Sequence, residues 1–138
     1  MSQYLEFISN HPFLTASAAA LLGLIVAFEL RNATRGYRSV DATDAPRLIN
    51  HDDAVVIDVR PRDAYKKARI INAVNMPADT VADQDLAKYA DSALIVYDDN
   101  GTGSSRVAAQ LVRGGCKRVY QLNGGLAAWQ SAGMPLAK

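Results

Sequence analysis

With 138 residues the chain has room for one domain of ordinary size and a short extension. Its net charge is +1 with both signs spread along the chain, so nothing points to nucleic acid as a partner. Two His and one Cys, far apart in sequence, exclude a local metal-ligand cluster, and a single Cys excludes an internal disulfide.

Residues 1–11 are a short N-terminal segment whose only Asp, Glu, Lys or Arg is Glu6. Residues 12–28 then carry no charge and would span about 25 Å as a helix, close to the hydrocarbon thickness. Leu30 extends the run if Glu29 snorkels. The run is apolar on every side, which argues against an interfacial amphipathic helix and for a transmembrane helix over residues 12–30. The alternatives are a buried core helix and a cleaved signal peptide. The latter would want basic residues ahead of the apolar run, where none stands. Arg31, Arg35 and Arg38 all follow it, in a basic juxtamembrane linker over residues 31–39. By the positive-inside rule the N-terminus faces out, and the remainder lies on the cytoplasmic side of an inner membrane.

From residue 40 to 138 short β-like runs alternate with helical patterns. Residues 43–50 read as a short helix with its N-cap at Asp41 or Thr43, and residues 54–59 as an apolar strand interrupted by Asp58. Pro61 opens a helix to residue 67, residues 73–77 form a short strand ended by Pro77, and residues 83–89 a small helix. Ala93–Tyr97 is a buried-type strand; residues 104–114 are a helix whose inward stripe is Val107, Ala108, Leu111 and Val112. Arg118–Leu122 is the next strand, and residues 126–132 the last helix, carrying Trp129. The alternation predicts an α/β fold, with a parallel sheet covered by helices on both faces.

In such sheets the ligand site lies beyond the carboxyl ends of the strands. There the strand ending at Tyr97 breaks into Asp98-Asp99-Asn100-Gly101-Thr102-Gly103, and Ser104 opens the following helix. Backbone N–H groups and a helix N-terminus converge in loops of this shape, where an anion or a reactive nucleophile is usually held. Two carboxylates stand here instead. Each like-charge contact with an incoming anion would cost on the order of 1–4 kcal/mol in a partly dehydrated site. Arg106, one helical turn on, is placed to offset part of that, and Asp98 itself could fill the N–H cradle as an internal anion.

Two segments resemble the rhodanese (sulfurtransferase) domain family over residues 40–136. Val55-Val-Ile-Asp-Val-Arg-Pro-Arg-Asp-Ala-Tyr65, with Ile70 and Ala73-Val-Asn-Met-Pro77, is similar to the family's first signature. The run from Val119 to Pro135 is similar to its closing signature, with Gly124-Gly125, Trp129 and Gly133-x-Pro135 at the family's spacings. The resemblance implies a five-stranded parallel sheet flanked by helices. It also makes Asp58 and Arg60 a structural pair, Trp129 a packing residue that needs a hydrogen-bond acceptor, and Gly124 and Gly125 backbone-geometry positions. One span ahead of a lone domain resembles a bacterial membrane-anchored branch of the family.

The departures bear on chemistry. Active members carry a Cys first in this loop as nucleophile and persulfide carrier, and that position is Asp98. A carboxylate cannot carry a sulfane sulfur. The family's Arg late in the loop is also absent, with Gly103 nearest its place, and a Gly before the Asn-x-Pro is answered by Asn72, shifted by one. The one thiol, Cys116, follows the helix that starts at Ser104, and so sits about 16 Å from the loop as a buried structural residue. Ser104 and Ser105 lack a nearby base, which leaves Ser104 as the helix N-cap. Asp98, Asp99 and Asn100 offer too few oxygens for a divalent metal, and no cofactor is implied.

The expectation is a membrane-anchored module without sulfurtransferase activity, its partners the bilayer and a membrane or cytoplasmic protein. The rivals are a sulfur carrier or transferase, and a small-ligand sensor using the loop.

Overall fold

The computed structural model describes all of residues 1–138, in two compact units, Met1–Arg35 and Gly36–Lys138. The first holds two helices, α1 (Ser2–Asn10) and α2 (Pro12–Ala33), separated at His11, whose φ of −130° and ψ of 60° lie outside the helical region. Pro12 lacks an N–H and opens α2, where that donor would be an orphan anyway. No residue of α2 is buried, and its 22 residues make it about 33 Å long. The basic linker expected over residues 31–39 is shorter: Arg31 to Ala33 belong to α2, and Arg38 to the first strand.

The second unit is an α/β domain. Strands β1 (Arg38–Val40), β2 (Val55–Asp58), β3 (Arg69–Ile70), β4 (Val74–Asn75), β5 (Ala93–Tyr97), β6 (Arg118–Leu122) and β7 (Leu136–Ala137) follow in chain order. Five of them form one parallel sheet in the order β1-β6-β5-β2-β4, while β3 and β7 make a small antiparallel pair. Helices α3 (Ala45–His51) and α6 (Gly125–Ser131) bring Ala45, Leu126 and Trp129 into one core with Val56, Ile95 and Tyr97. Helix α5 (Ser104–Arg113) packs Val107, Ala108 and Leu111 with Ile57, Leu94, Val96 and Val119 in the other. Central strand β5 is buried at every position: Ala93, Ile95 and Tyr97 join the first core, Leu94 and Val96 the second. That is the period of two a strand buried on both faces must show.

Three expectations are corrected. The third helix starts at Ala45 with neither Asp41 nor Thr43 as its cap: the Asp41 carbonyl accepts the Asp44 and Ala45 N–H groups, and its carboxylate holds Asn123. The helix expected over residues 83–89 is two 3₁₀ turns, Ala78–Asp83 and Leu86–Tyr89; Gln84 is extended between them, and Asp85 caps the second through the Ala87 N–H. Helix α4 (Arg62–Lys67) begins one residue after Pro61. Asn72 takes a φ of 63°, a left-handed conformation that Asn tolerates better than most residues.

Candidate functional site

The sheet order sets the loop after β5 between the ends of its two neighbours, β2 with Asp58 and β6 with Asn123-Gly124. Residues 98–103 therefore lie at the carboxyl edge of the sheet, with α5 behind them.

Asp98 is turned back into its own loop. One carboxylate oxygen accepts the Gly101 N–H and the other the Gly103 N–H, both at 2.6 Å. Charge-assisted bonds of that length are strong, and they take up two backbone donors of the loop. Gly103 belongs to the same arrangement: a Cβ there would lie 3.0 Å from Asp98 Oδ2, so the missing Arg and the folded-back carboxylate go together.

The rest of the loop is tied down from three sides. The Asp98 and Asp99 carbonyls accept the Leu126 and Ala127 N–H groups at 2.8 and 3.0 Å, taking up the first free donors of α6. Gly124 and Gly125 stand at φ of 72° and 58°. At Gly125 a Cβ would run into the Asp98 carbonyl and lie 2.8 Å from the Asn100 nitrogen, so only glycine lets α6 approach the loop. From below, Gln121 donates to the Gly101 carbonyl at 2.5 Å and to the Ser104 hydroxyl at 3.1 Å. Ser104 is thereby corrected. Gly103 occupies the N-cap position, and Ser104 is the first helical residue, fully buried, its hydroxyl donating over 3.5 Å to the Gly101 carbonyl. Asn100 accepts from the Thr102 N–H and hydroxyl and closes the tip.

Beside the loop lies an ionic knot. Asp58 is fully buried and receives the Arg60 backbone N–H and Nε, while Arg60 Nη2 lies 2.7 Å from Asp58 Oδ2. The Tyr97 hydroxyl donates to the same Asp58 oxygen at 2.6 Å and accepts the Ile70 N–H. Burial raises the Tyr97 pKa, and its hydrogen bond to Asp58 raises it further. Burial works against the Arg60 charge, but hydrogen bonding and Coulomb attraction to Asp58 outweigh it and hold the guanidinium charged. Arg60 Nη1 also reaches Asp99 at 3.3 Å. Arg106, expected to temper the loop's charge, is exposed, and the cation that reaches the loop is Arg60. The two loop carboxylates thus diverge, Asp98 inward to backbone N–H groups and Asp99 outward to Arg60.

Sequence reading missed Tyr97, Gln121 and the reach of Arg60 to Asp99. Gln121 left a signal, as a polar residue near the end of an otherwise buried strand. Cys116 is buried at the far end of α5 among Leu111 and Val119, and burial pushes its thiol pKa up. Trp129 is buried and donates its indole N–H to the Pro135 carbonyl at 3.0 Å. An open groove of about 460 Å³ runs past the ends of β2 and β4, lined by Val59, Pro61, Arg62, Pro77 and Thr80 among others.

A central parallel sheet with a six-residue loop cradled between strand, helix and a Gly-Gly turn defines the class. Residues 41–132 match the model of the rhodanese-like domain, and the chain belongs to that family. Along its whole length it is 31% identical to YibN of Escherichia coli K12, an uncharacterized protein, covering 99% of it. Over 95 residues it is 30% identical to the thiosulfate sulfurtransferase GlpE of Coxiella burnetii, covering 69% of this chain and 89% of that one. A rhodanese-related protein of Thermoplasma volcanium superposes with a TM-score of 0.66 at 25% identity, over 73% of this chain and 98% of the other.

Proposed function

We propose that this chain is a membrane-anchored rhodanese-like domain without sulfurtransferase activity, acting as a binding module on the cytoplasmic face. The observation that carries the reading is Asp98. It stands at the position where active members of the family carry a nucleophilic Cys, and its carboxylate occupies the N–H donors of the loop. Thiosulfate is an anion and would meet a filled cradle rather than an open one. The groove past Val59, Arg62 and Pro77 supplies surface for a protein partner.

The anchor is the apolar part of α2 over residues 12–30, with the rhodanese-like domain from β1 onward and the basic residues at their junction on the cytoplasmic side. An exposed cysteine placed at Ser131, on a Cys116→Ser background, is expected to resist a membrane-impermeant thiol reagent in intact cells. A cysteine at Ser2 is expected to react. The opposite pattern would reverse the orientation.

The rival reading, sulfur transfer, draws on the similarity to a protein named thiosulfate sulfurtransferase. In this chain it would have to use Cys116, which is buried and has its thiol pKa raised. Full-length protein in detergent is expected to transfer sulfur from thiosulfate to cyanide no faster than a protein-free control. Transfer that disappears in Cys116→Ser would overturn the binding-module reading.

A further inference from the structure

The N-terminal segment is a second helix with a surface of its own. In α1 the apolar residues Tyr4, Leu5, Phe7 and Ile8 fall within an arc of about 160°, at 100° per residue. Gln3, Glu6, Ser9 and Asn10 occupy the opposite side. None of the four apolar side chains is covered, with exposures from 73% at Tyr4 to 47% at Ile8. A one-sided apolar face of this kind needs an apolar partner.

The geometry at His11 says what that partner is. Joined straight, α1 and α2 would make a rod of about 48 Å, far longer than the roughly 30 Å hydrocarbon core. The chain instead leaves the helical region at His11, and α2 alone matches the core. Two backbone bonds bridge the break, and none joins the Phe13 and Leu14 N–H groups to Ser9 and Asn10. His11 N–H donates to the Phe7 carbonyl, and the His11 carbonyl accepts both the N–H and the hydroxyl of Thr15. The Phe7 ring packs on the His11 ring at 4.9 Å. A junction with backbone groups left for water and aromatic residues beside it suits the boundary between acyl chains and headgroups. We propose that α1 lies in the plane of the bilayer interface, its Tyr4–Leu5–Phe7–Ile8 face on lipid and its Glu6 side in water. This rests on the reading of α2 as a span.

The helix has no Lys or Arg, so apolar burial rather than lipid charge holds it, and added salt leaves it in place. Being joined to α2 by one residue, it needs no independent affinity for the membrane.

The test is spin-label accessibility in the full chain, reconstituted in phosphatidylcholine–phosphatidylglycerol vesicles. Single cysteines are placed at each of residues 3–10 and at Leu24, on Cys116→Ser or, where that variant unfolds, beside the buried native thiol. Oxygen accessibility is expected to peak at positions 4, 5, 7 and 8, and a water-soluble nickel complex to peak out of phase, with the helical period. Leu24 is expected to show oxygen and no nickel. The pair Leu5→Glu with Ile8→Glu is expected to abolish the oscillation and move labels at 4 and 7 into water. Uniform nickel accessibility over residues 3–10 with Leu24 still shielded would overturn the proposal and leave the span standing. Shielding from both reagents would assign the face to protein, a second copy or a partner, and equally overturn it. A Leu24 label open to nickel would bring down the span reading itself.

Discussion

Two carboxylates sit at the ends of neighbouring strands and are stabilised in opposite ways. Asp58, at the end of β2, is fully buried and held chiefly by side chains, the Arg60 guanidinium and the Tyr97 hydroxyl, with one backbone N–H from Arg60. Asp98, directly after β5, is half-buried and held by backbone, through the Gly101 and Gly103 N–H groups. The first arrangement binds three parts of the fold into one unit, and no member can leave without stranding another. The second ties one carboxylate to two backbone donors at a half-exposed place, and water can take over much of what is lost. The same residue type is thus locked into a buried ion pair at one strand end and folded back on its own loop at the next.

The same substitution made at both positions should separate them. Asp58→Asn leaves the Arg60 charge buried without its counter-ion, and a loss of about 3–5 kcal/mol is expected. Urea unfolding followed by the fluorescence of Trp129, the only tryptophan, would read it. Gly125→Ala ranks next, at about 3 kcal/mol, because it strains a φ of 58° and drives a Cβ against the loop backbone. Asp98→Asn exchanges one charge-assisted acceptor for a donor facing a donor, and about 1–2 kcal/mol is expected at this half-exposed place. Equal losses at Asp58 and Asp98 would erase the distinction drawn here.

The smallest effect is on pH dependence. The Tyr97 hydroxyl and Cys116 thiol both have raised pKa values in the fold, from ordinary values of 10.0 and 9.0. The unfolded chain therefore loses these protons first, so the contribution of these two groups should be level below about pH 9 and fall above it. In Cys116→Ala the first part of that decline should vanish, leaving the later fall from Tyr97. A decline unchanged by the substitution would remove Cys116 from the account.

Much of this architecture is legible in the sequence. Ala93–Tyr97 and Arg118–Leu122 run to the ends expected for them, because runs flanked by turn residues leave little choice of boundary. Asp58 and Arg60 were placed together by the family's signature, and Trp129 was expected to need an acceptor, found at Pro135. What escaped depends on distant parts of the chain meeting. Arg60 reaching Asp99, or Gln121 bonding under the loop, follows from strand order and cannot be read from spacing. Arg38 and Ser39 look like membrane flank in sequence, and pairing with Tyr120 and Gln121 makes them strand. Helix α1 did leave a trace, in apolar residues at helical spacing, but nine residues without caps are weak evidence on their own.

The central claim is that Asp98 has taken both the place of a sulfur nucleophile and its donors. Intact-mass analysis after incubation with thiosulfate tests it most directly. A thiolate that attacks the sulfane sulfur breaks the S–S bond, releases sulfite and leaves a persulfide one sulfur atom heavier. The native chain is expected to keep its mass, while Asp98→Cys frees the Gly101 and Gly103 N–H groups and gains one sulfur. A larger fraction of chains carrying that one sulfur is expected in Asp98→Cys with Gly103→Arg, since the carboxylate that crowds position 103 is then gone. A native chain that gains sulfur, and loses that gain in Cys116→Ser, would contradict the account.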